Sequence, residues 1–547
     1  MPDDNILLSF LRNISGNIFK LCRHIFKLYY GSIASMRLIP RSMATQHPDN
    51  ARVPNWIRGT EIIASDDEVY EAYISYSEFG AEEVMWDAEG KDVDTHVVRK
   101  LFTDYPEHFR DNILGKDQYL TYRVPNPSIE GADRKVFAET LESIPITFDV
   151  AEKFYGESVT TPVFEVILPF TTSSEELIAL ANYYEKVVVN KEDTMLTDSI
   201  SVKGLIGEFR PKKIEIIPLI EDMDSMLNIK TIVGKYISAF NVPYLRAFIA
   251  RSDPAMNYGM LPAVLLSKYA LADLNELSVK YNIEIFPIIG VGSLPFRGHF
   301  NPRNVKNSLE EYRGVWTFTV QSAFRYDYPK EEVKDAIRYI NMSKAVEPEL
   351  FSDYEKQLIK KIVSVYRERY QTEIEGLAPI INEVADFVPR RRARKLHIGL
   401  FGYSRSTGNV ILPRAITFVA SLYTIGIPPE IIGLSSLANL NEQEWNFVTE
   451  KYKYLKEDLR EASKYLNMDS LDMLESGFNL DKRIIELVKE DVLYMENQIG
   501  IKVPNHQYDI VKHRLFSSLA LTALIEKKDS EVKMAISEMA AIRNSLG

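Results

Sequence analysis

A chain of 547 residues with 46% hydrophobic content has room for two or three domains or for one elaborated barrel, and reads as globular. Its formal net charge of −12 excludes a general nucleic-acid footprint, which needs a basic face. The single cysteine, Cys22, excludes an intrachain disulfide and any cysteine-based zinc site, so a reducing cytoplasm is the expected location.

Residues 1–42 differ from the rest. Arg12, Lys20, Arg23, Lys27, Arg37 and Arg41 outweigh Asp3 and Asp4, with Leu, Ile and Phe between them. No uncharged apolar stretch there approaches the roughly 20 residues of a membrane span. An acidic start and the lack of an Ala-x-Ala-like site argue against a secretory signal. The segment is read as a dispensable extension, with Met36 or Met43 as alternative starts; an interfacial amphipathic helix is the alternative. A single domain is expected from 43 to 547.

Met43-Ala44-Thr45-Gln46-His47-Pro48-Asp49-Asn50 places one histidine in a short polar loop. Such an imidazole exchanges protons near neutral pH, or else only caps a backbone group in a turn. Beyond it, apolar or β-branched runs recur, each followed by a polar turn: Glu83–Trp86, Tyr119–Val124, Val163–Leu168, Ile214–Leu219, Leu245–Ala250, Ile283–Ile289, Val315–Val320 and Leu396–Phe401. Helical patterns such as Ser173–Val187 and Leu261–Tyr281 lie between them, so the alternation predicts a parallel sheet closed as a (β/α)8 TIM-like barrel. The basic run Arg390-Arg391-Arg392-Ala393-Arg394-Lys395 precedes the last of these strands. It is therefore assigned to the stability face, as a solvated or subunit-contacting loop, with an effector-phosphate site as the alternative. From Pro428 onward the pattern is almost wholly helical, additional to the barrel.

Residues just past the strands of such a barrel face its catalytic mouth. Those positions hold Asp87, Arg123, Glu221, Asp253, Arg297, Arg325, Arg405 and, slightly further on, Arg414. Carboxylates ligate hard cations such as Mg²⁺ or Mn²⁺, and arginine forks match phosphate and carboxylate groups, so the implied ligand is small and multiply anionic. Inter-loop salt bridging is the plainer explanation for any one pair. Gly234-Lys235-Tyr236 does not complete a P-loop, no His-Glu-x-x-His is present, and Gly402-Tyr403-Ser404-Arg405-Ser406 lacks the closing glycine of a nucleophile elbow. Val532-Lys533-Met534-Ala535 is not a biotin attachment site. Neither ATP nor biotin is expected to take part.

These residues together resemble the phosphoenolpyruvate carboxylases, more closely the archaeal-type branch, over essentially all of 43–547. Thr45-Gln46-His47-Pro48 is similar to the family's Thr-Ala-His-Pro loop, which implies that His47 is catalytic. Ile217-Pro218-Leu219-Ile220-Glu221 and Arg251-Ser252-Asp253 resemble its metal-binding segments, implying Glu221 and Asp253 as metal ligands. Tyr122-Arg123 is similar to a strand end that supplies a phosphate-binding arginine. Gly402-Tyr403-Ser404-Arg405 and Pro413-Arg414-Ala415-Ile416 resemble Gly-Ser-Arg and Leu-Arg-Ala-Ile-Pro. By this resemblance Arg297 and Arg405 join His47 as catalytic, and Arg123, Arg325 and Arg414 bind substrate. Gly290-Val291-Gly292-Ser293-Leu294-Pro295-Phe296-Arg297-Gly298 is a reduced form of the longer enzymes' glycine-rich loop, keeping only its second arginine, and is expected to be a mobile lid. Met256 stands where those enzymes carry lysine. Arg543-Asn544-Ser545-Leu546-Gly547 resembles the terminal Arg-Asn-Thr-Gly, with one residue inserted, and makes Asn544 a candidate for binding an aspartate inhibitor.

The resemblance implies carboxylation of phosphoenolpyruvate by bicarbonate to oxaloacetate and phosphate. It further implies Mg²⁺ or Mn²⁺ dependence, a homotetramer, no membrane partner, and an anaplerotic supply of four-carbon acids in the cytoplasm. Two other readings stay open: a different phosphoenolpyruvate/pyruvate-group lyase or mutase that needs no bicarbonate, and an inactive scaffold or membrane-associated binding protein led by the basic N-terminus.

Overall fold

A computed structural model describes residues 38–547 except 58–60, 65, 89–93, 132–133, 157–159, 241, 393–404, 408–409, 479 and 505–506. Cys22 and most of the N-terminal extension lie outside the described residues.

Eight parallel strands close into a barrel in chain order: β1 (Ser42–Ala44), β2 (Glu83–Asp87), β3 (Tyr119–Arg123), β4 (Glu165–Leu168), β5 (Glu215–Ile220), β6 (Tyr244–Ala250), β7 (Glu284–Gly290) and β8 (Thr317–Val320). β1 pairs with both β2 and β8, which completes the ring. Most strands are buried along their whole length, as expected where helices cover the outside and side chains fill the inside, and this is why they read as near-continuous apolar runs.

Seven of the expected strands are found, and the eighth is corrected. The ring is closed by Ser42–Ala44 rather than by Leu396–Phe401, which falls outside the described residues. Ser-Met-Ala is three residues long with no β-branched member, so it gives no strand signal of its own. Its pairing with two neighbours makes it a strand. The consequence is large: His47 follows the C-terminal end of the first barrel strand.

Inside the barrel, Met43, Met85, Ile167, Ile217, Leu219, Phe248, Ala250 and Ile288 form one apolar cluster. Nearer the strand beginnings the core is ionic. Arg246, fully buried, donates to both carboxylate oxygens of Glu83 at 2.9 and 2.7 Å, to Glu165 at 2.8 Å and to Thr317 Oγ1 at 3.2 Å. A buried arginine needs such multiple partners to offset its desolvation.

The expected helix at Leu261–Tyr281 is found as Met260–Tyr281, and that at Ser173–Val187 as Ser174–Tyr183 continued by the wider turn Tyr184–Val189. The first of these covers the β6–β7 side. The 33-residue helix Asp353–Ala385 starts from a Ser352/Glu355 capping box and lies against it. Beyond Pro428 the chain is helical as expected, ending in the paired helices Tyr508–Ile525 and Asp529–Arg543. No helix among the described residues is long and apolar enough to cross a membrane.

Candidate active site

The site grows from the C-terminal ends of the strands. Asp87 and Arg123 end β2 and β3 and are direct partners in the parallel register. Their side chains meet as a fork, with Arg123 Nε and Nη2 at 2.9 and 2.7 Å from the two Asp87 oxygens, both residues buried. Such bidentate pairing fixes the guanidinium plane. The Asp87 N–H in turn donates to Gln46 Oε1 at 3.0 Å, tying this corner to the histidine loop.

The loop from Thr45 to Arg52 is held by bonds to several distant segments. Thr45 N–H donates to the Val320 carbonyl at the end of β8, and Ser322 N–H donates to the His47 carbonyl at 3.4 Å. Thr45 Oγ1 lies 2.9 Å from His47 Nδ1. The tautomer that donates from Nδ1 to this hydroxyl makes Nε2 the basic nitrogen. Asp49, fully buried, accepts from Ala323 N–H at 2.7 Å and from Arg297 Nη1 at 3.0 Å. Burial pushes its carboxyl pKa up, against the pull of the Arg297 charge.

Glu221 directly follows β5. It is buried, and its Oε2 accepts the N–H of Phe170 at 2.7 Å. Asp253, half-buried, stands in the first turn of the helix Ser252–Tyr258 that follows β6. β5 and β6 are neighbours paired through Leu219–Phe248 and Ile220–Ile249, so both acids come from adjacent strand ends. Two carboxylates without histidine or cysteine are a hard-oxygen donor set, which fits Mg²⁺ or Mn²⁺. Among the described residues no group of three or more His, Cys, Asp or Glu could hold a metal ion.

The glycine-rich loop after β7 differs from the expected mobile lid. Residues 291–298 are buried, Gly292 N–H donates to the Arg297 carbonyl at 2.7 Å, and Phe296 N–H donates to Glu430 at 2.9 Å. Burial pushes the Glu430 carboxyl up to about 7. Gly298 has φ +115°, and a Cβ there would meet Val291 Cγ1 at 2.5 Å. Its glycines serve close packing and a left-handed turn rather than motion. Arg297, 2% exposed, is committed to Ser252 Oγ at 3.1 Å, Asp49, the Gly547 carbonyl at 2.7 Å and Gln321 Oε1 at 2.6 Å.

Other expected residues are placed differently. Arg325 is buried in the turn after β8, where it donates to Ser75 Oγ and the Thr45 carbonyl, both at 2.6 Å, and to Glu71 at 3.1 Å. It clasps the helix Asp66–Ser77 to the rim. Arg405 opens a short antiparallel ladder, Arg405–Thr407 with Val410–Leu412, instead of ending a barrel strand, and that ladder lies beside the helix carrying Asp253. Arg414, half-buried, precedes the helix Ala415–Thr424. Asn544, left-handed at φ 52°, accepts from Arg52 through Oδ1 at 2.9 Å.

The basic run is also corrected, since it is not a solvated loop beneath the barrel. Arg391 and Arg392 are each 5% exposed, and Arg391 donates to carbonyls of the histidine loop, at the opposite end. Arg392 forks onto Glu71, both bonds at 2.6 Å. Arg394 and Lys395 lie outside the described residues. Sequence reasoning also passed over Gln46, Asp49, Asp327, Arg391 and Gly547. Only Gln46 and Asp49 carried a local signal, as polar neighbours of the histidine.

Gly547 is buried, and a Cβ on it would stand 1.9 Å from the Ile416 carbonyl oxygen. Gly547→Ala is therefore expected to dislodge this residue from Arg297, cost about 1–3 kcal/mol of stability, and lower turnover at least about tenfold. A thermal melt and a steady-state rate on the same sample check both.

The phosphoenolpyruvate carboxylase family profile matches residues 39–547. The chain is 57% identical over 512 residues to a phosphoenolpyruvate carboxylase of Metallosphaera sedula, covering 94% of this chain and 100% of that protein. Proteins of the same name from Caldivirga maquilingensis and Picrophilus torridus are 50% identical over 515 residues and 51% over 513, with the same coverage of both chains.

Proposed function

Because the chain belongs to the phosphoenolpyruvate carboxylase family, we propose that its barrel mouth carboxylates phosphoenolpyruvate with bicarbonate by way of carboxyphosphate and the pyruvate enolate. The observation that carries this reading is the convergence of His47, Arg123, Glu221 and Asp253 at the ends of β1, β3, β5 and β6.

Arg123, its plane set by Asp87, and Arg405 bind the phosphoryl oxygens and stabilise the charge that moves onto them as bicarbonate attacks. Arg297 is committed to Asp49 and to Gly547, so its role is to hold the histidine loop in place. Glu221 and Asp253 would hold Mg²⁺ or Mn²⁺, which when bound would supply Lewis-acid stabilisation of developing negative charge. His47 then accepts the carboxyphosphate proton at Nε2, so that CO₂ is released beside the enolate and is captured by it. Water has to be kept out meanwhile, because protonation of the enolate gives pyruvate. The buried, pinned glycine-rich loop supports that exclusion.

The direct test is oxaloacetate formation from phosphoenolpyruvate with Mg²⁺, read through malate dehydrogenase. Absolute dependence on bicarbonate is expected. Consumption of phosphoenolpyruvate that ignores bicarbonate would favour a different lyase or mutase.

The same reading extends to an anaplerotic role in the cytoplasm, to inhibition by aspartate, and to a homotetramer. Met195, Leu196, Ile200, Leu205 and Ile206 support self-association. They are 42–65% exposed on the β4–β5 connection, at the barrel end away from the mouth. The dispensable segment is shorter than the expected 1–42, because Ser42 opens β1, Arg41 and Pro40 bond to residues 316–318, and the family match begins at residue 39. Deleting 1–37, which leaves the described residues intact, is expected to keep specific activity within about twofold, and light scattering on that sample gives the assembly.

A further inference from the structure

The backbone immediately after His47 is gripped from two sides, by a guanidinium and by a carboxyl group. Arg391 donates through Nε to the Asn50 carbonyl at 3.2 Å and through Nη2 to the Ala51 carbonyl at 2.8 Å, while Glu61 holds its Nη1 at 2.8 Å. Asp327 accepts the Ala51 N–H at 2.7 Å and the Arg52 N–H at 2.8 Å. Asn50 and Ala51 are 1% and 6% exposed, so these peptide groups have left water and depend on the two side chains. Bonds from charged partners are roughly twice as strong as neutral ones. Both residues come from distant segments, Asp327 after β8 and Arg391 beyond the long helix Asp353–Ala385. Between the gripped peptides and the imidazole stand only Pro48 and Asp49. Proline fixes its own φ and keeps the preceding residue extended, so little backbone freedom separates Asn50 from His47, and the Asp49 bonds to Arg297 and Ala323 brace the same segment.

We propose that Arg391 and Asp327 are positioning residues for His47, setting the imidazole for proton removal from carboxyphosphate while contributing nothing to phosphoryl transfer. The inference rests on His47 being the late base. A displacement of about 1 Å is enough to cost roughly a hundredfold in a positioned proton transfer. Where that transfer fails, the enolate takes a proton from water to give pyruvate, and carboxyphosphate hydrolyses to bicarbonate and phosphate.

The experiment measures oxaloacetate, pyruvate and phosphate together, at saturating bicarbonate, for the full chain and for His47→Asn, Arg391→Ala, Arg391→Lys and Asp327→Asn. Arg391→Ala is expected to lower oxaloacetate formation about 10- to 100-fold. Bicarbonate-dependent phosphate release and the KM for phosphoenolpyruvate should stay within a few fold, so that pyruvate becomes the main product. Arg391→Lys should recover part of the oxaloacetate, and Asp327→Asn, which keeps one acceptor, should shift the product ratio the same way. If His47→Asn yields pyruvate but both Arg391→Ala and Asp327→Asn keep the wild-type product ratio, the positioning role is overturned and the base assignment stands. If His47→Asn itself leaves the ratio unchanged, both fall. Should Arg391→Ala not fold, the ratio in Asp327→Asn decides.

Discussion

His47→Asn is expected to abolish oxaloacetate formation, by a factor of about 10² to 10⁴, while phosphate is still released in a bicarbonate-dependent way. The two outcomes separate because different groups serve the two halves of the reaction. Attack of bicarbonate on the phosphoryl group needs charge stabilisation from Arg123 and its neighbours. Removal of the carboxyphosphate proton needs a base, and asparagine is none. The fold should hold, since the loop is fixed by its backbone and by Asp49, with Thr45 the ring's described partner. Stoichiometric pyruvate and phosphate, measured with lactate dehydrogenase and a phosphate assay, is the expected signature. Oxaloacetate at near wild-type rate would reduce His47 to a turn residue.

The second large effect is expected at the two acids. Glu221→Gln keeps an oxygen able to accept the Phe170 N–H, so stability should change by no more than about 1 kcal/mol. Its charge is lost, however, and with it several kcal/mol of stabilisation of the enolate in the proposed mechanism, which predicts at least about a hundredfold loss of turnover. Asp253→Asn should behave alike. Mn²⁺ binding, followed by the paramagnetic signal of the ion, should weaken in both variants. Wild-type turnover with unchanged metal dependence in either would reassign the ligand.

The barrel was legible because its strands are buried on both faces and so read as apolar runs, as with Glu-Ile-Ile-Pro-Leu-Ile for β5. β1 was not, because Ser-Met-Ala becomes a strand only through two flanking partners that lie elsewhere in the sequence. That one omission displaced the eighth strand to Leu396–Phe401 and put the basic run at the wrong end. The places of individual residues were legible where chemistry and position coincide locally, as for Glu221 at a strand end. Asp327 and Arg391 left no such trace, since their partners are about 275 to 340 residues away. The glycine-rich loop misled for another reason. Glycine marks both flexibility and close approach, and Val291 against Gly298 and Arg297 against Gly292 show which applies.

The bond from Leu546 N–H to the Asp49 carbonyl, 2.7 Å long, joins the first barrel loop to nearly the last residue of the chain. During synthesis at roughly 5–20 residues per second, about 25 to 100 seconds separate the emergence of the one from that of the other. All eight barrel strands have emerged once β8 is made, whereas the histidine loop still lacks its bond to Leu546. The loop that carries the proposed base is thus fastened later than the barrel strands around it.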